Sequence, residues 1–494
     1  MKLRPAAILP LVFVAATLVA TFAQCGDGRA ATAPGAGVPP MPATQEPKPT
    51  VTVPPKDSIR LLVSGAMSGR LEPCGCASGQ LGGLARRMQH IGEMRNYDLL
   101  LEGGNLVETN TELDLMKLYT AKSVLFDMQH RYDALGVGAK DLLLPPAEYA
   151  AFLGDAPLVA TNLAHKTEGW PGKPFIEKDV RGVKVRVVSF LLALPKELTG
   201  AESPVSLLAH AEAWQAARAG ADAATRFVVM AHGDDVQIRA LIPQLQPAPD
   251  LVVGVDQGYI EPTAAATPVA GVPLVFTGIR GRVLLSLSLW RDASGPRAVG
   301  ELIPLPGSRT VPGGGGDPNV RDAIVRHRHE VKDGNVLENM ARQLPTPNGA
   351  VYVGSEGCKG CHPTAYGVWA KEGSKHFNAW KTLEVAEKDP TRYGWPVTAY
   401  PDCVSCHVVG HREQSGFLSF ADSPGLAGVG CERCHGPGSD HVAAPEKNRL
   451  GLIGGVDKSM LCIQCHDFEQ SPNFLFGDKW PVIQHGREPN QIKK

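Results

Sequence analysis

Four copies of one short pattern, C-x-x-C-H, carry the most specific chemistry in this sequence and hold eight of its 11 cysteines. The spacing is that of a c-type haem site. Two thiols bond to one edge of a porphyrin, and the next residue places an imidazole under the iron. A zinc site would not need a histidine directly after the second cysteine in every copy. We therefore predict four covalent haems, at Cys358, Cys361 and His362; Cys403, Cys406 and His407; Cys431, Cys434 and His435; and Cys462, Cys465 and His466.

Each iron also needs a sixth ligand, and neutral imidazole suits iron well. The same part of the chain contains four further histidines, as many as there are C-x-x-C-H patterns: His376, His411, His441 and His485. His411 follows His407 by only four residues, so it cannot cap the opposite face of the same haem. It must serve a neighbouring haem or none. Weaker alternatives as ligands are His327, His329 and Met460.

The segment that holds these motifs, 351–494, has few regular apolar patterns. A domain of this size with poor hydrophobic periodicity should fold badly alone. Four porphyrins would supply the missing apolar core, so we expect folding to be coupled to cofactor attachment, as in small metal domains.

The N-terminus has the features of an export signal. Lys2 and Arg4 form a basic start, an apolar stretch runs from Ala6 to Phe22, and Ala23 offers a small residue for cleavage. We predict a signal peptide over 1–24 and a Pro/Ala-rich tether over 25–56. Cys25 makes a lipid anchor the alternative to simple cleavage, although Gln24 stands where a small residue is usual. The protein is expected in the periplasm or the cell envelope.

The composition excludes two broad classes. A chain of 494 residues that is 43% hydrophobic is too long and too apolar to be disordered. Its 49 basic and 50 acidic residues leave a net charge of −1, whereas a nucleic-acid binder needs a basic surface. The length predicts several domains.

Between residues 57 and 305, short apolar runs alternate with helical stretches, as expected for a layered α/β domain. The strand-like runs are IRLLVSG, DLLLEGG, DALGVGAKD, PLVATN, VKVRVVSFLL, RFVVMAHG, DLVVGV and VPLVFTG. The helical stretches include LARRMQHIGEMR, TELDLMKLYTAKSVLFDMQH and PAEYAAFL. A linker and helix occupy 306–350, where Asp317 and Pro318 suit a helix start.

The C-terminal motifs resemble a known family over about residues 350–490. The runs YVGSEGCKGCH, WAKEGSKHFNAWKTL, CVSCHVVGHREQSGF and LAGVGCERCHGPGSDH are similar to the tetrahaem cytochrome c-554 family. This resemblance implies stacked haem pairs and mostly bis-histidine ligation. It also implies, in the namesake, one haem without a distal protein ligand. The fold class expected for the chain is a layered α/β sandwich followed by a mostly helical or irregular multihaem cytochrome domain.

The α/β segment resembles the calcineurin-type metallophosphoesterases of the periplasmic nucleotidase kind, through the order of GGLARR, LLLEGGN, DALGVGAKD and VVMAHGDD. Two metals in that family need about seven Asp, His and Asn ligands, and this chain departs at nearly all of those positions. They read Ser64-Gly65-Ala66-Met67-Ser68, Gly104-Asn105, Gly138-Ala139-Lys140-Asp141 and Gly254-Val255-Asp256-Gln257. His232 alone stands where a ligand would. We expect the fold to be kept and the hydrolase to be inactive.

Cys74 and Cys76 stand two residues apart in the first loop of that segment. A disulfide between them would be strained and labile. Two interpretations stay open: surface thiols that pair with nothing or with Cys25, or a redox or metal-binding pair.

Two classes of function follow from these residues. The preferred one is an electron carrier that works with other redox proteins, because four spare histidines can close all four irons. The alternative is a redox enzyme with one open haem that acts on a small nitrogen or sulfur compound. An active nucleotidase with an appended cytochrome is disfavoured by the missing ligands.

Overall fold

The structure, a computed structural model, describes most of the chain from residue 53 onward. The described residues are 53–73, 79–128, 131–154, 156–166, 172–256, 261–307, 315–346, 349–389, 393–449, 451–454, 458–468 and 470–486. The predicted signal peptide and residues 25–52 of the predicted tether, with Cys25, lie outside them, as do Cys74, Cys76 and Gln257. Residues from Thr52 to Lys494 form one compact unit.

The strands occupy the first two thirds of this unit. They are β1 (Ile59–Ser64), β2 (Leu99–Glu102), β3 (Ala134–Gly136), β4 (Leu158–Val159), β5 (Leu163–His165), β6 (Ile176–Val180), β7 (Val183–Leu191), β8 (Val205–Leu207), β9 (Arg226–Gly233), β10 (Leu251–Asp256), β11 (Thr263–Val269), β12 (Val272–Phe276), β13 (Val283–Asp292) and β14 (Gly295–Pro304). Each of the eight predicted strand-like runs contains one of them, so those predictions are confirmed.

The strands build two six-stranded sheets and a small β5–β8 pair. The first sheet has the order β14-β13-β1-β2-β3-β4, and β1 to β4 run parallel. The second has the order β11-β12-β10-β9-β7-β6, with a parallel centre formed by β7, β9, β10 and β12. Parallel strands buried on both faces need near-continuous apolar runs, which is the pattern of these segments.

The helices of the α/β part are α1 (Leu84–Glu93), α2 (Glu112–Lys122), α3 (Pro146–Leu153), α4 (His210–Arg218) and α5 (Asp235–Leu241). An apolar core that includes Leu61 and Val253 lies between the sheets. A second core joins the first sheet to α1, α2 and α3, and a third joins the second sheet to α4 and α5. The result is a four-layer sandwich, which confirms the predicted layered α/β class.

The rest of the chain is mostly helical. Its helices are α6 (Pro318–Asp333), α7 (Val336–Met340), α8 (Glu356–Lys359), α9 (Pro363–Trp369), α10 (Ala379–Lys388), α11 (Pro401–Val404), α12 (Cys431–His435), α13 (Ser439–Ala443), α14 (Lys458–Ile463) and α15 (Phe476–Ile483). The predicted start of α6 is confirmed, because the Asp317 side chain accepts hydrogen bonds from the backbone N–H groups of Asn319 and Val320.

A small apolar core joins the two parts of the unit. It includes Leu113 of α2, Val331 of α6, and Trp380, Trp395 and Phe417 from the C-terminal region. No local pattern in the sequence predicts this core, because its members come from several helices and loops with no shared periodicity. No helix in the described ranges combines the length and the apolar character that a membrane crossing requires.

Candidate haem sites

Each C-x-x-C-H pattern forms about one turn of helix. In the first pattern, the N–H groups of Cys361 and His362 donate to the carbonyl of Cys358, and the fourth pattern repeats these bonds. The third pattern is the whole of α12. Residues three and four apart in a helix lie on one face. The turn therefore presents both thiols and the imidazole toward the same space, as attachment to one porphyrin requires.

Three of the four motif histidines face a histidine from elsewhere in the chain. His362 faces His441 with ring centroids 6.0 Å apart, and His466 faces His376 at 6.2 Å. His435 faces His485 at 5.8 Å. The partners are three of the four spare histidines named from the sequence.

These distances fit an iron atom between each pair of rings. Two imidazoles that bind one metal ion from opposite sides, through bonds of about 2 Å, hold their ring centroids roughly 6 Å apart. The observed separations are 5.8 to 6.2 Å. The donor set of paired imidazoles beside two thiols therefore suits a covalently attached haem with two axial histidines.

Hydrogen bonds orient several of these rings through Nδ1. The Nδ1 atom of His407 lies 2.6 Å from the carbonyl oxygen of Ala379. That of His466 lies 2.9 Å from the Ser471 hydroxyl. An imidazole that donates from one nitrogen to a fixed acceptor keeps the other nitrogen for a metal. Burial also lowers the pKa of His407 and His466, which favours the neutral form that binds metals.

The motifs also contact one another. The side chain of Cys358 lies close to that of Cys431, and the side chain of Cys406 lies close to that of Cys465. The guanidinium of Arg433, inside the third motif, lies 3.7 Å from the Cys465 sulfur. In space, the motifs therefore follow the order first, third, fourth, second.

His411 does not face a motif histidine in the described structure. Its ring is buried, and its Nε2 lies 2.8 Å from the carbonyl oxygen of Leu337 on α7. This bond ties the C-terminal region to α7 and uses the nitrogen that a distal ligand would offer. The prediction that His411 serves a neighbouring haem or none stays a prediction, and in this structure its Nε2 contacts the Leu337 carbonyl oxygen.

The second motif has a different surrounding from the other three. In the described part of the chain, no aromatic ring stacks on His407, and a cavity lies beside it. Cys403, Cys406, Tyr400 and Trp395 contribute to the lining.

The helix histidine His327 comes near this cavity without lining it. Its Nε2 lies 3.2 Å from the Tyr400 hydroxyl, and its Nδ1 is buried without a hydrogen-bond partner. Burial lowers the pKa of His327 to about 4, so the ring is neutral at physiological pH. The other helix alternative, His329, and the exposed Met460 face no motif histidine in the described contacts.

The α/β part supplies the far wall of this cavity. Arg70, Glu72 and Lys117 line it, as does Arg328 of α6. The Lys117 ammonium lies 2.7 Å from the carboxylate of Asp402, the residue before the first cysteine of the motif. Burial alone would lower the pKa of Lys117, but nearby carboxylates outweigh that effect and raise it.

The position where the phosphoesterase resemblance implies metal ligands holds a buried ion pair instead. Arg87 and Glu102 lie 2.8 Å apart and are almost fully buried. The Ser64 hydroxyl donates to Glu102 at 2.6 Å and lies 3.1 Å from the Tyr132 hydroxyl. This network closes the end of β1, where the family would place its first ligands.

Asp141 serves the backbone in this region. Its carboxylate accepts from the N–H groups of Asn105 and Leu106 at 2.7 Å and of Gly138 at 2.9 Å. Burial raises the pKa of Asp141 to about 6, although these bonds oppose the shift. The side chain thus joins the loops after β2 and β3.

The remaining positions also fail to offer a metal donor set. Lys140 forms an ion pair with Glu108 at 2.7 Å, and Val255 belongs to the core between the sheets. His232 is fully buried, with its Nε2 3.2 Å from the Ser189 hydroxyl. Within the described ranges, no three His, Cys, Asp or Glu side chains converge as a metal site would require. The residues present do not fit a two-metal centre.

Comparison with known proteins separates the two parts of the chain. The family model described as "Cytochrome c554 and c-prime" covers residues 357–436. Residues 357–436 match the cytochrome c554 family. A curated relative, cytochrome c-554 of Nitrosomonas europaea, is 34% identical over 98 residues, which is 18% of this chain and 40% of the relative. The match thus spans about two fifths of that cytochrome.

Solved structures resemble the whole unit only partially. The 5'-nucleotidase precursor of Thermus thermophilus is 19% identical, with a TM-score of 0.44 over 58% of this chain and 61% of that one. The sulfate thiohydrolase SoxB of Thermus thermophilus is 16% identical, with a TM-score of 0.44 over 63% of this chain and 69% of that one. The α/β part is described as four layers because of the sheets and helices of this chain, and not because of these similarities.

The ion pairs around the second C-x-x-C-H motif were not found from the sequence. Lys117 and Asp402 are 285 residues apart, and Arg328 and Glu72 are 256 apart. A charged residue in a helix looks the same in sequence whether it meets water or a distant partner. The acidic residue just before Cys403 was the one available signal, and it does not identify its cation.

Proposed function

We propose that the protein is an exported tetrahaem c-type cytochrome that passes electrons between other redox proteins. The observation that carries this proposal is the contiguous series of four attachment motifs, three of them with opposed histidines. Ligation by two imidazoles closes an iron to substrates, and little then changes around the metal when an electron arrives.

The spatial order of the motifs supplies a route for the electrons. The closeness of Cys358 to Cys431 supports a close approach of the proposed first and third haems, and that of Cys406 to Cys465 supports the same for the second and fourth. Arg433 joins the two pairs at Cys465. The proposed path therefore runs from the first haem through the third and fourth to the second.

The exposed apolar side chains of the C-terminal region support the proposed attachment of several haems. Several large apolar side chains near the motifs are exposed: Phe377, Phe420, Met460, Ile463, Leu475 and Val482. Exposed apolar groups in such number mark a surface that contacts something else. Porphyrins attached at the neighbouring cysteines would cover them and supply the core that the sequence lacks.

Intact mass spectrometry of the exported protein tests this proposal directly. We expect the mass of the chain without its signal peptide, increased by four haems. A variant with both Cys403 and Cys406 replaced by Ala should carry three. A wild-type mass with three haems or fewer would overturn the tetrahaem proposal. The same mass shows whether Cys25 carries a lipid.

A second candidate function, a redox enzyme, is favoured by the surroundings of His407. In the described structure this is the motif histidine that no second imidazole faces, and it borders a cavity. A haem with one axial ligand would leave a coordination position for a small nitrogen or sulfur compound. Electron paramagnetic resonance of the oxidised protein detects an open iron as a high-spin signal, but turnover of such a compound, and not this signal alone, separates the enzyme from a carrier with one open haem. Nitric oxide or hydroxylamine should then shift the spectrum, and turnover would establish the enzyme.

We further propose that the α/β part is an inactive phosphoesterase relative that serves as a scaffold or docking module. The support is the ion pair of Lys140, at a position where the resemblance implies a metal ligand, and the buried pair of Arg87 and Glu102, which is bonded to Ser64 at another such position. Purified protein with manganese, zinc or calcium should hydrolyse no phosphodiester or nucleotide. Metal-dependent turnover that His232→Ala abolishes would contradict this.

A further inference from the structure

The cavity beside His407 is shared between the two parts of the unit. Cys403, Cys406 and His407 line one side, and Glu72 and Arg328 belong to the other. A haem attached at this motif would be bonded to the two cysteines through its vinyl edge. Its opposite edge carries two carboxylates, which then lie toward the remainder of the cavity.

The charged side chains that line the cavity suit the carboxylates of a haem. Three cations line the cavity, Arg70, Lys117 and Arg328, against two carboxylates, Glu72 and Asp402. Buried carboxylates are costly unless a cation and hydrogen-bond donors meet them. The guanidinium and ammonium groups in this lining therefore offer N–H donors to an anionic occupant.

Arg328 is the best placed of the three cations. Its guanidinium lies 4.0 Å from the centre of the Trp395 ring, which fixes its plane. Glu72 accepts a bond from one of its nitrogens at 2.6 Å. A guanidinium has five N–H donors in a rigid fork and matches carboxylates better than an ammonium does. Lys117, in contrast, is already placed between two carboxylates, those of Asp114 and Asp402.

We propose that Arg328 binds a carboxylate of the haem at Cys403 and Cys406, so that the α/β side of the unit completes this haem pocket. The proposal rests on the proposed haem attachment at this motif. Lys117 contributes as a positioning residue, because its bond to Asp402 holds the helix that carries Cys403.

The test is a redox titration of the full-length, haem-loaded protein, followed optically. A positive charge beside a haem disfavours the ferric state, so its removal lowers the midpoint potential. Arg328→Gln should lower the potential of one haem and leave the other three unchanged, and Arg328→Lys should lower it less. Glu72→Gln removes a negative charge at the same place and should raise the potential of the same haem.

The control is Arg297→Gln. Arg297 also pairs with a carboxylate, that of Asp292 at 2.9 Å, but it lies on β14 and does not line the cavity, so all four potentials should stay unchanged. A merely structural role for Arg328 would not give shifts of opposite sign in Arg328→Gln and Glu72→Gln. Unchanged potentials in both variants, with four haems by mass, would overturn the inference. Fewer than four haems in the wild type would instead overturn the proposed function on which it rests.

Discussion

Replacement of His441 by alanine tests the ligand assignment most sharply. His441 faces His362 with ring centroids 6.0 Å apart, and its Nδ1 lies 3.2 Å from the carbonyl oxygen of Arg449, which leaves Nε2 for an iron. The cysteines of the first motif are untouched by the change. We therefore expect the haem to stay attached and to lose its distal imidazole, which converts it from low-spin to high-spin or water-bound.

The size of the effect follows from the number of facing pairs. Three opposed histidine pairs predict three low-spin haems and one high-spin haem in the wild type. In His441→Ala the low-spin signal should fall to about two thirds, and the high-spin signal should about double, if each haem contributes one spin centre. Added imidazole should restore the wild-type spectrum, because the cavity left by the side chain matches the free ring.

The assay is spin quantification by electron paramagnetic resonance on oxidised protein, with the haem count fixed by mass. The matched control is His411→Ala, which removes a buried histidine whose Nε2 meets the Leu337 carbonyl. This variant should lose stability without altering the spin-state ratio. A wild type with no high-spin signal that gains one in His411→Ala would refute the assignment. An unchanged spectrum in His441→Ala would show that another group caps the first haem.

Three further predictions concern stability, each followed by urea denaturation with circular dichroism. Arg87→Met leaves Glu102 buried without its cation and should cost about 3–5 kcal/mol, part of which Glu102→Gln in the same background should recover. Lys117→Met removes the nearer cation of Asp402, but that carboxylate is 37% exposed and also has Arg70 4.0 Å away, so the loss should be smaller, about 1–3 kcal/mol. Burial lowers the pKa of His232 to about 3, whereas an unfolded histidine titrates near 6.5, so between these values only the unfolded state binds the proton. Stability should therefore fall with pH below about 6.5, by at most about 1.4 kcal/mol for each pH unit from this group, and His232→Gln should flatten that slope.

The sequence was informative where a pattern is local. The run before Ser64 and the run before Gly233 each predict a buried strand. In both, apolar and β-branched residues that are adjacent in the sequence are enough to indicate burial. The C-x-x-C-H motifs are equally local, since three covalent or coordinate bonds depend on five consecutive residues. Asp317 and Pro318 identified the start of α6 for the same reason.

The ligand pairs show where local reasoning stops. His376 faces the histidine of the fourth motif, not that of the first, which is nearer in sequence. Counting four spare histidines for four haems also made His411 a candidate distal ligand. Nothing in its neighbourhood along the chain shows that the Leu337 carbonyl, 74 residues earlier, lies within reach of its ring. Such assignments depend on tertiary contacts that no short window contains.

The contacts of the α/β part are concentrated on one of the two motif pairs. Lys117 meets Asp402 beside the second motif, and Arg280 meets Asp467, directly after His466 of the fourth, at 3.1 Å. The cysteines that the structure leaves exposed, in contrast, belong to the first and third motifs: Cys361 and Cys434.

This asymmetry gives the proposed electron path a direction in space. We expect a redox partner to approach the proposed first and third haems, near Cys361 and Cys434, because the motifs of the second and fourth contact the α/β part. The second motif, which ends the path, is also the one whose histidine faces a cavity rather than another imidazole. Glu72 and Lys117 of the α/β part and Arg328 of α6 line this cavity, which supports the proposed role of this side of the unit as the wall of a haem pocket.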